Sequence, residues 1–393
     1  MSELAEDIEL EILSKLCVKS LLRLRCVSKT WISIISSNYF VKCHLKKRTS
    51  SLIFGELDDN GVQHISLDGN QLSNPFYLPI KITCASIIGS CNGLVCIQGF
   101  ILRIPTILLW NPSVRTYRYL PPTSFTAHDV GVFGFGYDSM NDDYLVMNLV
   151  PTNSRVLCDH VSCYDTIPHK YHYKSRLELW VYRLQRHRWT RIDVPYWFTD
   201  VELRVNSLFV HEACHWLINI KSTQVIVAFH TTTEKLERLS LPMLLSKEKN
   251  KYYLGVLGDW LCVSCMQPKA VKGADIWVMK EYGIEDSWVK LFSFSCEALG
   301  KSIDRLVPIS FSKNKERILL KVGWKVGKGA LVWYDPETNT AERLPYYHTC
   351  AYTFVESLVK TINGRRIPKK RKLSDTITGL HTNDRLYAYL TRF

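Results

Sequence analysis

The sequence predicts a mainly β protein: a small N-terminal helical module followed by one large β-propeller, with six blades as the expected count. Three observations carry this prediction. A helical hydrophobic period is confined to residues 4–47. From about Thr49 onward, short apolar or aromatic runs are separated by Gly, Asn, Asp and Pro. Within that second region a hairpin-like pattern recurs.

In the helical region Ile8, Ile12, Leu13 and Leu16 recur on one face, with Glu6, Glu9, Glu11 and Lys15 largely around it. A second helix is expected over about Lys19–Cys26, carrying Leu21, Leu22 and Leu24. A third begins after Ser28, a residue suited to an N-cap, and presents Trp31, Ile34 and Ile35. A last one spans Asn38 to about Lys46 with Phe40, Val41 and Leu45. Helices this short bury little area, so the module is expected to show an apolar surface that a partner completes.

The β region repeats loosely. The segments LLWNPSVRTYRYLP, ELWVYRLQRHRWTRI, VIVAFHTTTEKLERLSLP, DIWVMKEYGIEDSWVKL and LVWYDPETNTAERLP each read as a strand, a polar turn and a second strand. Taking Leu109, Leu179, Val227, Ile276 and Val332 as equivalent points gives intervals of 70, 48, 49 and 56 residues. A unit of about 50 residues is the size of one propeller blade, although hairpins of this kind also occur in sandwiches and barrels. The length of 49–359 fits six blades, with seven as the alternative. The long first interval points to an excursion over 152–176.

Composition narrows the class. The chain has 393 residues, 46% of them hydrophobic and 12% aromatic, enough apolar material to fold along most of its length. Its opening, SELAEDIELEIL, lacks the pattern of a secretory signal, and no apolar run approaches the length of a membrane span. Thirteen cysteines, an odd number set largely in apolar runs, read as reduced core residues, so the expected location is cytoplasm, nucleus or both. A net charge of +13 ordinarily suggests nucleic acid. Here nine basic and two acidic residues fall in 360–393, leaving 41 basic against 35 acidic in the rest, so nucleic-acid binding is not expected.

Three motifs invite chemistry. His211, Glu212 and His215 match the zinc-hydrolase pattern, which requires a helix to bring both imidazoles to one face. They sit in LFVHEACHWLINI, a strand-like context, and the expectation is a hairpin rim without catalytic zinc. Cys262 and Cys265 form a CxxC, but residues three apart on a strand point to opposite faces. Cys91 with Cys96 and Cys158 with Cys163 are no better placed. Gly131, Gly134 and Gly136 lack the βαβ context of a nucleotide loop and are expected to let neighbouring blade backbones approach. No catalytic residue, metal or cofactor is expected.

The segment LAEDIELEILSKLCVKSLLRLRCVSKTWISIISSNYFVKCHL resembles a plant F-box. Downstream GSCNGLVC, LLWNPSVRTYRYLP, FGFGYDSMNDDYLVM, CHWL and LVWYDPETN are similar to the F-box-associated domain of the same family, in the family's order. Two departures stand out: Ala5 and Cys17 occupy positions where proline is usual. Members similar to this one include pollen-side self-incompatibility receptors and regulators of defence receptors. The resemblance implies a β-propeller and a substrate-recognition subunit of an SCF-type ubiquitin ligase, joined to a Skp-family adaptor, to cullin and RING subunits indirectly, and to an unknown target protein. A non-degradative interaction adaptor is the alternative, and a zinc-dependent hydrolase a distant third. The implied organisation is docking helices over 1–48, a target-binding propeller over 49–359, a basic segment over 360–374, and a tail or final strand over 375–393. Adaptor-binding candidates are Leu4, Ile8, Ile12, Leu13, Leu16, Leu21, Leu22, Val27 and Trp31, ringed by Lys15, Lys19, Arg23 and Arg25. Arg365, Arg366, Lys369, Lys370, Arg371 and Lys372 resemble a nuclear-import signal. Target contacts are expected within 152–176, 195–206 and 266–274.

Overall fold

The computed structural model describes residues 6–48, 51–54, 61–66, 76–78, 82–101, 104–121, 131–151, 171–173, 177–195, 198, 201–220, 223–242, 251–266, 273–295, 303–324, 329–344, 351–361 and 365–366. Four helices open the chain: α1 (Glu6–Lys15), α2 (Val18–Leu24), α3 (Lys29–Ser36) and α4 (Asn38–Lys46). Antiparallel sheets follow.

Among the described residues, five sheets contain a four-stranded antiparallel meander whose strands follow chain order. The first runs β4 (Thr83–Cys91), β5 (Leu94–Ile101), β6 (Ile104–Asn111) and β7 (Thr116–Tyr119). The second is β8 (Val132–Asp138), β9 (Asp143–Pro151), β11 (Leu177–Arg183) and β12 (Arg188–Ile192). The third is β13 (Val201–Val210), β14 (Ala213–Ile220), β15 (Thr223–His230) and β16 (Leu236–Leu239), with β10 (Tyr171–Tyr173) added beside β13. The fourth is β17 (Lys251–Leu257), β18 (Trp260–Met266), β19 (Gly273–Met279) and β20 (Trp288–Ser295). The fifth is β21 (Ile303–Phe311), β22 (Ile318–Trp324), β23 (Ala330–Asp335) and β24 (Thr340–Arg343).

The expected six blades are corrected to five. The remaining sheet is composite: β1 (Ser51–Phe54), β2 (Gly61–Ser66) and β3 (Phe76–Tyr77) joined by β25 (Ala351–Phe354), short strands from both ends of the β region. Dividing 49–359 by a blade length counted these ends, and the excursion before β11, as though they were blade. The five repeat points were the better guide. Leu109, Leu179, Val227, Ile276 and Val332 lie on β6, β11, β15, β19 and β23, the third strand of each meander.

The hairpins after these strands explain the sequence turns. Asn111 pairs with Thr116, Arg183 with Arg188 and Asp335 with Thr340, each closing a four-residue loop. The fourth loop residue adopts a left-handed conformation in all three: Arg115, His187 and Asn339. The Asp335 carboxylate accepts the amides of Glu337 and Thr338 at 2.9 and 3.2 Å, which is how a short polar side chain stabilises a reversal.

The chain divides into two compact units, one comprising Met1–Ile53, Leu57–Pro122 and Thr353–Phe393, the other Phe54–Glu56 and Thr123–Tyr352. In the second unit the sheets pack face to face. Leu145, Met147, Leu179 and Val181 meet Cys214, Trp216, Ile218 and Val227 of the next sheet. Ala213, Leu217 and Ile226 on the opposite face meet Leu261, Val263 and Cys265. Cys262, Ile276 and Val278 in turn meet Leu320, Val322 and Val332. Each strand buried on both faces therefore reads as a nearly continuous apolar run. A Cβ on Gly134 would lie 2.6 Å from Cys214 Sγ and 2.7 Å from the Trp216 ring. What glycine admits there is a neighbouring blade's side chains, where the sequence suggested its backbone.

Candidate functional site

Helices of seven to ten residues are marginal alone and need caps and packing. Ser28 accepts the Trp31 amide at 3.0 Å and Ser37 accepts the Phe40 amide at 3.2 Å, capping α3 and α4. Leu13, Val18, Leu21, Ile34, Ile35 and Phe40 then close a common core. His44 is buried beneath it with Nε2 2.9 Å from the Leu16 carbonyl, while Lys47 donates to Ser14 Oγ at 2.9 Å and Arg48 donates to Leu16 O. These bonds hold the α1–α2 junction, where Cys17 stands in place of proline. Cys17 keeps φ near −68°, the value a proline ring would impose, so the local path survives the exchange.

This packing sorts the docking candidates. Leu13 and Leu21 are fully buried, and Leu16, Leu22 and Trp31 lie half-buried against the same core. Ile8, Ile12 and Val27 are exposed at 47%, 51% and 64%. Leu4 lies outside the described residues, as does Ala5. Two exposed apolar residues escaped the sequence reading: Ile32, at 45%, and Tyr39, at 70%. The available signal was their position on helices α3 and α4, off the faces defined by Ile34, Ile35 and Phe40. Among the basic residues, Lys15 pairs with Glu11 at 2.9 Å across one helical turn, while Lys19 and Arg23 are exposed.

Arg365 and Arg366 form a short strand, β26 (Arg365–Arg366), paired with Tyr117 and Thr116 of β7. Lys369, Lys370, Arg371 and Lys372 lie outside the described residues, as do 152–170 and 267–272 of the expected target contacts. Residues 201–206 belong to β13.

The zinc-like motif is a chain reversal. His211 and Glu212 have φ of 50° and 54° and form the turn between β13 and β14. His215 faces inward on β14, fully buried, with Nε2 2.8 Å from the Tyr282 hydroxyl. The helical turn that would join the two histidines is absent, and among the described residues no group of three or more His, Cys, Asp or Glu could hold a metal ion. Cys262 and Cys265 pack in different cores on opposite faces of β18, as strand geometry requires.

Burial lowers the His215 pKa to about 3, from an ordinary value of 6.5. The folded state thus binds fewer protons than the unfolded chain at any pH between these values. This contribution to stability is complete above 6.5 and is lost as pH falls toward 3, at about 1.4 kcal/mol per pH unit. Denaturant unfolding of wild type and His215→Gln, compared between pH 7.5 and 4.5, is expected to show the flatter dependence in the variant. Parallel curves would show that His215 is not held neutral by the fold.

Comparison with known proteins gives a consistent result. A family model for the F-box domain matches residues 1–43, and one for the F-box associated beta propeller domain matches residues 41–372. The F-box protein CPR1 of Arabidopsis thaliana is 26% identical over 373 residues, covering 88% of this chain and 84% of that protein. A second F-box protein of that plant is 24% identical over 363 residues, 86% of this chain and 85% of its own length. An F-box/kelch-repeat protein of the same species is 25% identical over 311 residues, 72% of this chain and 77% of its own.

Proposed function

Since this chain belongs to the plant F-box proteins that carry an F-box-associated β-propeller domain, we propose a division of labour between its two modules. The chain is the non-catalytic substrate-recognition subunit of an SCF-type ubiquitin ligase. The helices over 1–48 dock a Skp-family adaptor, which leads to the cullin and RING subunits, and the β region over 49–359 holds the target protein. Transfer chemistry occurs on the ubiquitin-conjugating enzyme, and this chain contributes proximity.

The observation that carries the docking assignment is the apolar surface left on the helical module. Ile8 and Ile12 lie one helical turn apart on the exposed side of α1, away from the core that Leu13 enters. Val27, Ile32 and Tyr39 are exposed on the same small module, so apolar side chains are left outside its core on α1, α3, α4 and the α2–α3 link.

Reconstitution with a Skp-family adaptor, cullin, RING subunit, ubiquitin and the proteins captured by the full chain tests the reading. Ubiquitin transfer to a captured protein, dependent on both adaptor and this chain, is expected. Capture with adaptor binding but no transfer would favour the non-degradative adaptor.

A further inference from the structure

Residues 355–361 have no regular secondary structure, yet Ser357, Leu358 and Thr361 are buried. Inside a protein, an irregular segment needs other groups, side chains among them, to satisfy its buried backbone polar atoms. Asn111, at the end of β6 and itself fully buried, does this. Its Nδ2 donates to Ser357 O at 3.2 Å, Ser357 Oγ at 3.1 Å and Val359 O at 2.7 Å. Its Oδ1 meanwhile accepts the Ser113 amide at 2.9 Å, supporting the β6–β7 turn.

The equivalent turn after β23 uses Asp335, whose carboxylate alone caps the reversal. A carboxylate therefore suffices for the turn, and the amide of Asn111 supplies something further: donors aimed at this segment. The opposite side of the segment meets the helices. Leu358 joins Leu13, Val18, Leu21, Ile35 and Phe40 in their core, and Val114 from the same β6–β7 turn packs against it. Glu356 faces the charges of Lys19 and Arg48. Gly93, at φ +78°, provides the remaining room, since a Cβ there would collide with Ser357 and Val355.

We propose that residues 355–361 are a clasp between the docking helices and the β4–β7 sheet, and that Asn111 is the positioning residue that holds it. The clasp makes the helices and this sheet one body, so that adaptor docking fixes the orientation of the sheet within the ligase. This rests on the function proposed above. It requires that loosening the clasp change where ubiquitin is delivered without changing how tightly the adaptor is held.

The test uses the full chain, with Asn111→Asp as the variant and Asp335→Asn as the control. Asn111→Asp keeps the acceptor for the turn and removes the donors to the clasp; Asp335→Asn keeps the cap and touches no clasp. Hydrogen exchange, adaptor affinity and ubiquitylation of the chain's own lysines in the reconstituted complex are measured together. For Asn111→Asp, exchange over 355–361 is expected to rise about tenfold or more, because its local opening is no longer opposed by Asn111. Adaptor Kd stays within about twofold, while self-ubiquitylation falls about tenfold and spreads over more lysines, as misplacement of reactants predicts. The control matches wild type in all three. Unchanged exchange over 355–361 overturns the clasp. Loss of adaptor affinity in step with exchange overturns the positioning role, because the segment would then only support the fold of the helices. If wild type itself fails to bind the adaptor, the proposed function falls and the positioning role with it, a result visible before any variant is compared.

Discussion

Replacing Arg183 with methionine is expected to destabilise the second unit by about 3–5 kcal/mol, the usual consequence of removing one partner from a buried ion pair. Arg183 ends β11 with a side chain only 10% exposed, and its Nη1 lies 3.2 Å from Oδ2 of Asp138, whose side chain is fully buried. Nη2 and Nε reach Glu234 Oε1 at 2.6 and 3.0 Å. Asp138 also accepts the amides of Met140 and Asn141, both at 3.1 Å, and the Asn141 side chain at 2.7 Å. Burial alone would raise its pKa, but the Asn141 hydrogen bonds and Arg183 outweigh that and hold the carboxyl below its ordinary value.

The guanidinium therefore links the β8–β9 turn, the end of β11 and the β15–β16 turn. Without it the buried carboxylate of Asp138 keeps its donors from Met140 and Asn141 but loses its counter-charge, whereas Glu234, about a third exposed, can turn to water. Because the folded pKa of Asp138 is depressed, its contribution is present above the unfolded value and is lost as pH falls through the folded one. The Arg183→Met variant should lose part of that acid dependence. A double variant, Arg183→Met with Asp138→Asn, is expected to recover part of the loss, since asparagine keeps an acceptor for the amides of Met140 and Asn141 and leaves no buried charge without a counter-charge. Equilibrium denaturant unfolding measures each. A single-variant loss below about 1 kcal/mol would show that the pair is no stronger than a surface one.

Much of the architecture was legible from local signals. The change from helical period to short runs marks where the β region begins, and Ser28 is the N-cap expected of it. The five repeat points all mark third strands because that strand carries apolar residues on both faces, and β6, β11 and β23 also end in the same four-residue turn. The blade count was less accessible. A composite sheet draws its strands from residues about 300 apart, with Ser51 Oγ bonded to Phe354 O at 2.8 Å, and no local period reports such closure. The docking face was only half legible for a similar reason. Helical spacing brings Ile8, Ile12 and Leu13 together, but deciding which of them is core requires the position of α4 and of Leu358, which arrives from the far end of the chain. Asn111 read as a turn residue for the same reason, since its second set of partners lies 246 or more positions away.

That division between core and surface determines how the docking assignment should be tested. Leu13→Ala would open a cavity in the helical core and confuse folding with binding. Removing residues 1–48 would expose Leu358 and Val114. Glutamate at the exposed positions 8 and 12 avoids both difficulties. The most direct measurement is the affinity of the full chain for a Skp-family adaptor, wild type against Ile8→Glu with Ile12→Glu, with circular dichroism and thermal unfolding as folding controls. If these residues are central to the interface, the pair should weaken binding by at least about 100-fold, roughly 3 kcal/mol, with unfolding unchanged. Equal affinity of the folded double variant and wild type would contradict the account, because the apolar face of α1 would then not be where the ligase holds this chain.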